Sequence, residues 1–262
     1  MSEAAERFSR TRLLLGDAGL ARLRDAHVAV IGLGAVGSYA VEGLARAGVG
    51  HLRLVDFDCV SPSNINRQLY ALESTLGQPK HELAARRVLD INPSCDVETL
   101  PLFVNRDTVA QVLAPPVQFV VDAIDSLNAK AGLLEACVRA GLPVFSSMGA
   151  ARRLDPAFIR VADLGQTTVC PLARFVRKRL HKRGIREGVR CVFSIEPVPD
   201  ESVGEPEGEI LLEGERPREP PGRERRPMGS LSCVTGIMGL TLAREVIMRI
   251  IGNEIKNTDD TD

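Results

Sequence analysis

Three glycines near the amino end of the chain are spaced so that they could hold a phosphate group. Residues 32–37 read GLGAVG, after a β-branched run and before a helical pattern, with glycines at Gly32, Gly34 and Gly37. Such a turn lets the backbone approach phosphate closely, and the N–H groups that open the helix attract anions. Asp56 ends the next apolar run, where an acid would bind a ribose hydroxyl. The combination predicts a nucleotide site in a βαβ unit, and the alternative is a turn that only packs helix on strand.

A crowd of polar and cationic side chains follows that acid. Residues 56–68 read DFDCVSPSNINRQ and include Asp58, Asn64 and Arg67. Lys80 comes next, within GQPK, in the first turn of a predicted helix. The helix dipole favours anions rather than cations at that end, so a bound phosphate would account for the lysine. Taken alone, an exposed surface lysine remains the alternative interpretation.

A second acidic position follows the strand predicted over residues 119–126. That stretch reads FVVDAIDS, an apolar run typical of a buried parallel strand, and a helix is predicted near residues 127–140. Open α/β sheets bind ligands beyond the carboxyl ends of their strands, so Asp125 is expected to point towards the glycine turn. The alternative is that Asp125 or Ser126 caps the next helix.

A basic amphipathic helix is predicted in the second half of the chain. Residues 170–184 read CPLARFVRKRLHKRG, with apolar residues at helical spacing. The cations left on the more exposed arcs are Arg174, Arg177, Lys178, Lys182 and Arg183. The formal net charge of the chain is only −1, so a nucleic-acid partner is indicated by this local surface and not by bulk charge. A merely solvated face is the alternative.

The pattern DxDxVxxxNxxRQ after a glycine turn resembles the superfamily of ubiquitin-activating enzymes and bacterial adenylyltransferases. Over the whole chain the resemblance is closest to the branch that dehydrates threonylcarbamoyladenosine in tRNA. It implies a doubly wound Rossmann-like α/β sheet with a C-terminal extension, ATP with Mg²⁺, and a homodimer. By this resemblance Arg67 and Lys80 would contact phosphates, and Asp125 would help to place Mg²⁺. Arg10 would reach into the neighbouring subunit and contact the terminal phosphates of the ATP bound there.

The same resemblance implies a reaction through an acyl adenylate, followed by ring closure within the modified nucleoside of a tRNA. A protein thiol is not needed for that route, and Cys170 is expected to be an ordinary cysteine rather than a nucleophile. The alternatives are an adenylyltransferase for a ubiquitin-like sulfur carrier and a nucleotide-sensing RNA-binding protein without turnover, with a dehydrogenase a distant fourth. A cysteine desulfurase or sulfur acceptor system, and a monovalent cation, are further candidates as partner and cofactor.

Length and composition predict a single α/β domain. The chain has 262 residues, of which 44% are hydrophobic, and no apolar run long enough for a membrane span. Its parts are an arm and helix over 1–24, an ATP-binding core over 25–150, and a substrate-facing and dimerisation part over 151–262 with a flexible loop over 197–228. Six cysteines without any CxxC pair predict reduced thiols and no zinc. A cytoplasmic protein is expected.

Overall fold

Seven strands form one sheet at the centre of the protein. The computed structural model describes residues 6–198 and 228–252. The strands are β1 His27–Ile31, β2 His51–Val55, β3 Asp96–Leu100, β4 Phe119–Asp122, β5 Val144–Ser147, β6 Ile159–Asp163 and β7 Val189–Ser194. Their order is β3-β2-β1-β4-β5-β7-β6, and every neighbouring pair is parallel except β6 with β7. The predicted doubly wound α/β fold is confirmed.

Helices cover both faces of this sheet. The helices are α1 Ser9–Asp25, α2 Gly37–Ala47, α3 Lys80–Ile91, α4 Val109–Val112, α5 Leu127–Arg139, α6 Pro171–Lys182 and α7 Ser232–Ile251. Val28 and Val30 of β1 pack with α2, α3 and α7, whereas Ala29 and Ile31 pack with α5 and α6 on the other face. Because successive side chains of a strand point to opposite faces, a strand covered on both sides must be apolar throughout. The β-branched run that precedes the glycine turn has this property.

The chain order reverses between β1 and β4, and this reversal places the site. Strands β2 and β3 lie to one side of β1, while β4 and the later strands lie to the other. The loops that leave β1 and β4 at their carboxyl ends therefore diverge and open a crevice between them. The glycine turn follows β1 and Asp125 follows β4, so both belong to this crevice.

The amino-terminal segment differs from its prediction. A short arm leading to a helix near Leu20 was expected, but α1 begins at Ser9 and has a kink at Gly16, where φ is 74°. Contacts with distant parts of the chain support the early turns: the Arg7 guanidinium donates to the Ile91 carbonyl at 2.8 Å, and the Phe8 ring lies against Gly48. These contacts could not be read from local periodicity, which the kink interrupts.

Most of the loop predicted over residues 197–228 lies outside the described residues, as does the tail after Gly252. The helix expected after it is present as α7, which packs along α2. Among residues 6–198 and 228–252, no helix is long and apolar enough to cross a membrane.

Candidate nucleotide site

The three positions of the turn differ in how strictly the structure requires glycine. Gly32 has a φ of +87°, a conformation that disfavours other residues, and a Cβ on Gly37 would lie 1.7 Å from the Gly32 carbonyl oxygen. A Cβ on Gly34 would instead meet nothing closer than the Gln68 amide nitrogen, at 3.6 Å. Packing therefore requires glycine at positions 32 and 37, whereas a methyl group at Gly34 would fit without displacing any atom. The packing interpretation therefore holds at Gly32 and Gly37, and the phosphate contact of the turn stays a prediction.

Asp56 ties the glycine turn to the polar loop that follows β2. It is buried, and its two carboxylate oxygens accept hydrogen bonds from the backbone N–H groups of Leu33 at 2.7 Å and Asp58 at 2.8 Å. Burial raises the pKa of Asp56, although the Lys80 charge and these two N–H donors oppose the rise. Each carboxylate oxygen can accept a second hydrogen bond, so a ribose hydroxyl fits the donors and acceptors present.

Lys80 is the first residue of α3 and is only 5% exposed. The interpretation of Lys80 as an exposed surface lysine is therefore wrong. Its ammonium lies 3.0 Å from a carboxylate oxygen of Asp58, whose side chain is half exposed. This partner offsets the unfavourable helix dipole, so the dipole by itself no longer requires a phosphate. An ammonium has three donors, however, and one contact with Asp58 leaves capacity for a ligand at the crevice.

Hydrogen bonds within the polar loop hold the Arg67 side chain, and Asn64 closes the turn of that loop. One terminal nitrogen of the half-buried Arg67 donates to the Ser63 carbonyl at 2.7 Å and to the Asn66 side-chain oxygen at 2.9 Å. The buried Asn64 exchanges hydrogen bonds with Ser61, accepting at its side-chain oxygen at 3.2 Å and donating from its backbone N–H at 2.9 Å. The first role of Asn64 is thus to close the turn that presents Arg67.

Asp125 is exposed in the loop between β4 and α5. The strand ends at Asp122, earlier than predicted, so Asp125 lies beyond the sheet edge rather than in it. The loop adjoins the glycine turn, because a Cβ on Gly32 would lie 2.8 Å from the Ala123 carbonyl oxygen. An exposed carboxylate is a hard oxygen ligand of the kind that Mg²⁺ takes beside substrate phosphates. The assignment of Mg²⁺ to Asp125 stays a prediction.

The sequence prediction overlooked a buried ion pair beneath this loop. Asp122, the last residue of β4, and Lys130 of α5 are both fully buried, and their charged atoms are 2.6 Å apart. A signal was present, because each charge lies within a mostly apolar stretch. Fully buried charges are rare unless they are paired, so each residue predicted a partner for the other.

Arg10 is the one predicted phosphate contact that the fold places elsewhere. The amino end of α1 lies beside Ile91 and Gly48, which are at the far ends of α3 and α2 from the crevice. Along α3 the distance from Lys80 to Ile91 is about 16 Å at the helical rise. The exposed Arg10 therefore lies near the opposite edge of the sheet from the glycine turn of its own chain.

The basic helix is present as α6, but its cations are not equivalent. Arg174, Lys178, Lys182 and Arg183 are exposed, and Arg183 also pairs with Glu135 at 2.6 Å. Arg177 is half-buried and donates to the Thr167 carbonyl at 2.8 Å and hydroxyl at 2.7 Å. The expected exposed position of Arg177 is therefore wrong, because its side chain reaches back to the turn before the helix.

Cys170 is the residue immediately before α6, makes no side-chain hydrogen bond to the helix end, and is 2% exposed. Its sulfur lies 3.5 Å from where a Cβ on Gly149 would stand, in the loop after β5. All six cysteines are free thiols in the structure. A buried sulfur is poorly placed to attack an acyl group in the crevice, which agrees with the expectation that Cys170 is an ordinary cysteine.

The arrangement of a glycine turn, a buried acid and basic side chains at a strand switch point agrees with comparisons to known proteins. Residues 8–261 match the ThiF family. The chain belongs to the ThiF family. A protein of Bacillus subtilis named tRNA threonylcarbamoyladenosine dehydratase is 39% identical over 260 residues, which cover 97% of this chain and 98% of the relative.

Solved structures of the ThiF fold extend this result. The E. coli tRNA N6-threonylcarbamoyladenosine dehydratase, crystallised with ATP, superposes on this chain with a TM-score of 0.83 at 35% identity, covering 96% of each. The similarity to the other expected branch is weaker. An adenylyltransferase and sulfurtransferase of Drosophila willistoni is 28% identical over 248 residues, and the match covers only 45% of that protein.

Proposed function

We propose that this ThiF-family chain uses ATP to dehydrate N6-threonylcarbamoyladenosine in tRNA to its cyclic form. The observation that carries the proposal is the similarity of the chain, over its whole length, to the B. subtilis dehydratase. The glycine turn at Gly34, beside Gln68, and the Asp56, Asp58 and Lys80 cluster supply the matching site. The adenylyltransferase alternative has no comparable support, because its relative is matched over less than half of its length.

The side chains of the crevice bind and orient ATP in this proposal. Gly34 and the amino end of α2 receive phosphate oxygens, and Asp56 accepts from the ribose. Lys80 and Arg67 place positive charge where the pyrophosphate leaves, and their contacts with Asp58 and the Ser63 carbonyl fix them there in advance. Mg²⁺, held with the phosphates and by Asp125, would supply further neutralisation of that charge.

The reaction divides into two steps that need different things from the protein. The threonyl carboxylate first attacks the α-phosphate and pyrophosphate leaves, which requires positioning and charge neutralisation. An atom of the same modified nucleoside then attacks the activated carbonyl and AMP leaves, so the net change is loss of one water. No protein nucleophile takes part, which suits the buried position of Cys170.

The proposal includes a homodimer in which Arg10 serves the crevice of the partner. Within one chain Arg10 lies near the wrong edge of the sheet, so only a second copy could bring it to phosphate. Two neighbouring leucines on the same helix, Leu13 and Leu14, are 77% and 83% exposed, which suits burial against another subunit. Mixing Arg10→Ala with Asp125→Ala subunits should restore partial activity, and dimers of the two that stay inactive would contradict a shared site.

The exposed cations of α6 are the proposed contact with tRNA. Arg174, Lys178 and Lys182 project from one helix, and such side chains bind phosphates without reading sequence. A cytoplasmic location goes with this substrate. The proposed reaction needs no sulfur donor. A cysteine desulfurase or sulfur acceptor as a partner is therefore suggested by the family resemblance alone.

The decisive experiment is incubation with ATP, Mg²⁺ and tRNA that bears N6-threonylcarbamoyladenosine, with and without K⁺. Mass spectrometry of the released nucleosides should show the cyclic product, lighter by one water, together with AMP and pyrophosphate. ATP cleavage without any change in the nucleoside would refute the dehydratase proposal. Formation of an adenylate on a ubiquitin-like carrier protein in the same preparation would favour the alternative.

A further inference from the structure

The ion pair between Lys130 and Asp122 belongs to a larger buried network. The Lys130 ammonium donates to Asp122 at 2.6 Å, to the Ser147 carbonyl at 3.0 Å and to the Ser146 hydroxyl at 3.3 Å. The Ser146 hydroxyl in turn donates to the same Asp122 oxygen at 2.6 Å. One lysine therefore links the carboxyl ends of β4 and β5 to α5.

The network also fixes the start of the loop that carries Asp125. The second carboxylate oxygen of Asp122 accepts a hydrogen bond from the Ile124 backbone N–H at 3.0 Å. At the other end of the loop, the Lys130 backbone N–H donates to the Ser126 carbonyl at 2.9 Å. The first of these bonds depends on the Asp122 carboxylate, whereas the second is the backbone bond that opens α5 and does not involve the Lys130 ammonium. The charged cluster therefore anchors the start of the short span that contains Asp125.

Stability alone gives a weak reason for such a pair. Removing two charges from water is costly, and buried ion pairs can often be replaced by apolar residues without loss of stability. The pair lies directly beneath the crevice, next to the glycine turn that adjoins Ala123. Its hydrogen bonds hold backbone atoms of the Asp125 loop in a fixed place relative to β5, which apolar side chains could not do.

We infer that Lys130 is a positioning residue which, through Asp122, holds the Asp125 loop where it binds the Mg²⁺ form of ATP. The inference rests on the proposed ATP chemistry but not on the identity of the tRNA substrate. Lys130 does not itself touch the nucleotide, because it is fully buried. Its effect should therefore appear in the Mg²⁺-dependent part of ATP affinity and not in the affinity for the nucleotide alone.

The test is calorimetric titration of ATP into Lys130→Met, once with Mg²⁺ and once with a chelator. We expect the dissociation constant with Mg²⁺ to rise about 3- to 30-fold, the range for altered coupling through a packed network. Without Mg²⁺ it should stay within about twofold of the unaltered chain. Ser146→Ala, which removes only one hydroxyl from the network, should shift the constant in the same direction by less.

Two further variants separate positioning from simple loss of fold. Lys130→Met leaves Asp122 charged and unpaired, so the double variant Lys130→Met with Asp122→Asn restores neutrality and should melt closer to the unaltered chain. It should keep the Mg²⁺-specific defect. The control is Glu245→Gln, which removes a buried carboxylate charge that pairs with the partly exposed Arg190 at 2.9 Å, between α7 and β7. It should lower the melting temperature and leave Mg²⁺–ATP affinity unchanged.

The outcomes are distinct. A double variant that binds Mg²⁺–ATP like the unaltered chain would overturn the inference, as would an equal defect in Glu245→Gln. The inference would also be overturned if the unaltered chain bound ATP with the same dissociation constant in the presence and absence of Mg²⁺. Failure of the unaltered chain to convert modified tRNA would instead refute the proposed function, while the nucleotide titrations, which contain no tRNA, would still decide the role of Lys130.

Discussion

Replacing Gly34 by alanine should separate nucleotide binding from folding. The new methyl group would meet no atom closer than the Gln68 amide nitrogen at 3.6 Å, and the backbone at Gly34 is not left-handed. The fold should therefore tolerate the change, and a smaller unfolded-state entropy should raise stability by about 0.4–1 kcal/mol. The same methyl group would occupy the surface that phosphate approaches. Loss of one backbone hydrogen bond to a charged phosphate, about 1.5–3 kcal/mol, corresponds to roughly 10- to 150-fold weaker ATP binding.

Two matched glycine variants make the Gly34 result interpretable. A methyl group at Gly37 would lie 1.7 Å from the Gly32 carbonyl oxygen, so Gly37→Ala should destabilise the turn by roughly 1–3 kcal/mol or more, besides impairing ATP binding. Gly132 lies in α5 with no atom within 4 Å of its Cβ position, so Gly132→Ala should stabilise by up to about 1 kcal/mol and leave ATP affinity unchanged. Urea unfolding and calorimetric ATP titration measure both quantities. A Gly34→Ala chain that binds ATP as well as the unaltered chain would refute the assignment of Gly34 to the phosphate-binding surface.

Three further outcomes are expected. Neutralising Lys178 and Lys182 together should weaken tRNA binding and flatten its salt dependence while ATP affinity is unchanged, as filter binding at several salt concentrations would show. Arg177→Ala should instead lower stability by about 1–3 kcal/mol through its lost carbonyl contact, which thermal melting measures. Because burial raises the pKa of Asp56, its protonation should weaken ATP binding at a higher pH than for an ordinary aspartate, and Asp56→Asn should remove that acid limb from titrations across pH. Cys170→Ser should keep nearly full turnover in the nucleoside assay, and an inactive but folded variant would indicate a thiol relay.

The central strand of the sheet could be predicted from a local pattern. A β-branched run that ends in GLGAVG is too short for a buried helix and too apolar for an exposed strand, so it predicts a central parallel strand. The helix predicted near Leu20 is present in α1, but its start was predicted too late, because the early turns depend on Arg7 and Phe8 contacts with the ends of distant helices. Hydrophobic periodicity describes one element at a time. It does not show the tertiary contacts on which the start of α1 depends.

Sequence patterns placed single residues at the crevice, but they did not reveal which charges are buried in pairs. The βαβ unit fixes the positions of Gly32 and Asp56, and the structure has both at the crevice. The burial of Lys80 depends on Asp58, and that of Lys130 depends on Asp122. A sequence shows that a charge lies in an apolar stretch, but the partner is set by which strands are neighbours in the sheet.

The direction of α6 decides what kind of substrate its cations can serve. Its amino end lies at the carboxyl edge of the sheet, because Cys170 contacts the Gly149 position after β5. Lys182 follows Arg174 by eight positions, so it stands about 12 Å further from that edge along the helix axis. The exposed cations therefore form a line that leads away from the crevice rather than a cluster around it. A free nucleotide bound at the glycine turn could not contact both ends of that line, whereas an RNA with one nucleoside in the crevice and its backbone along α6 could.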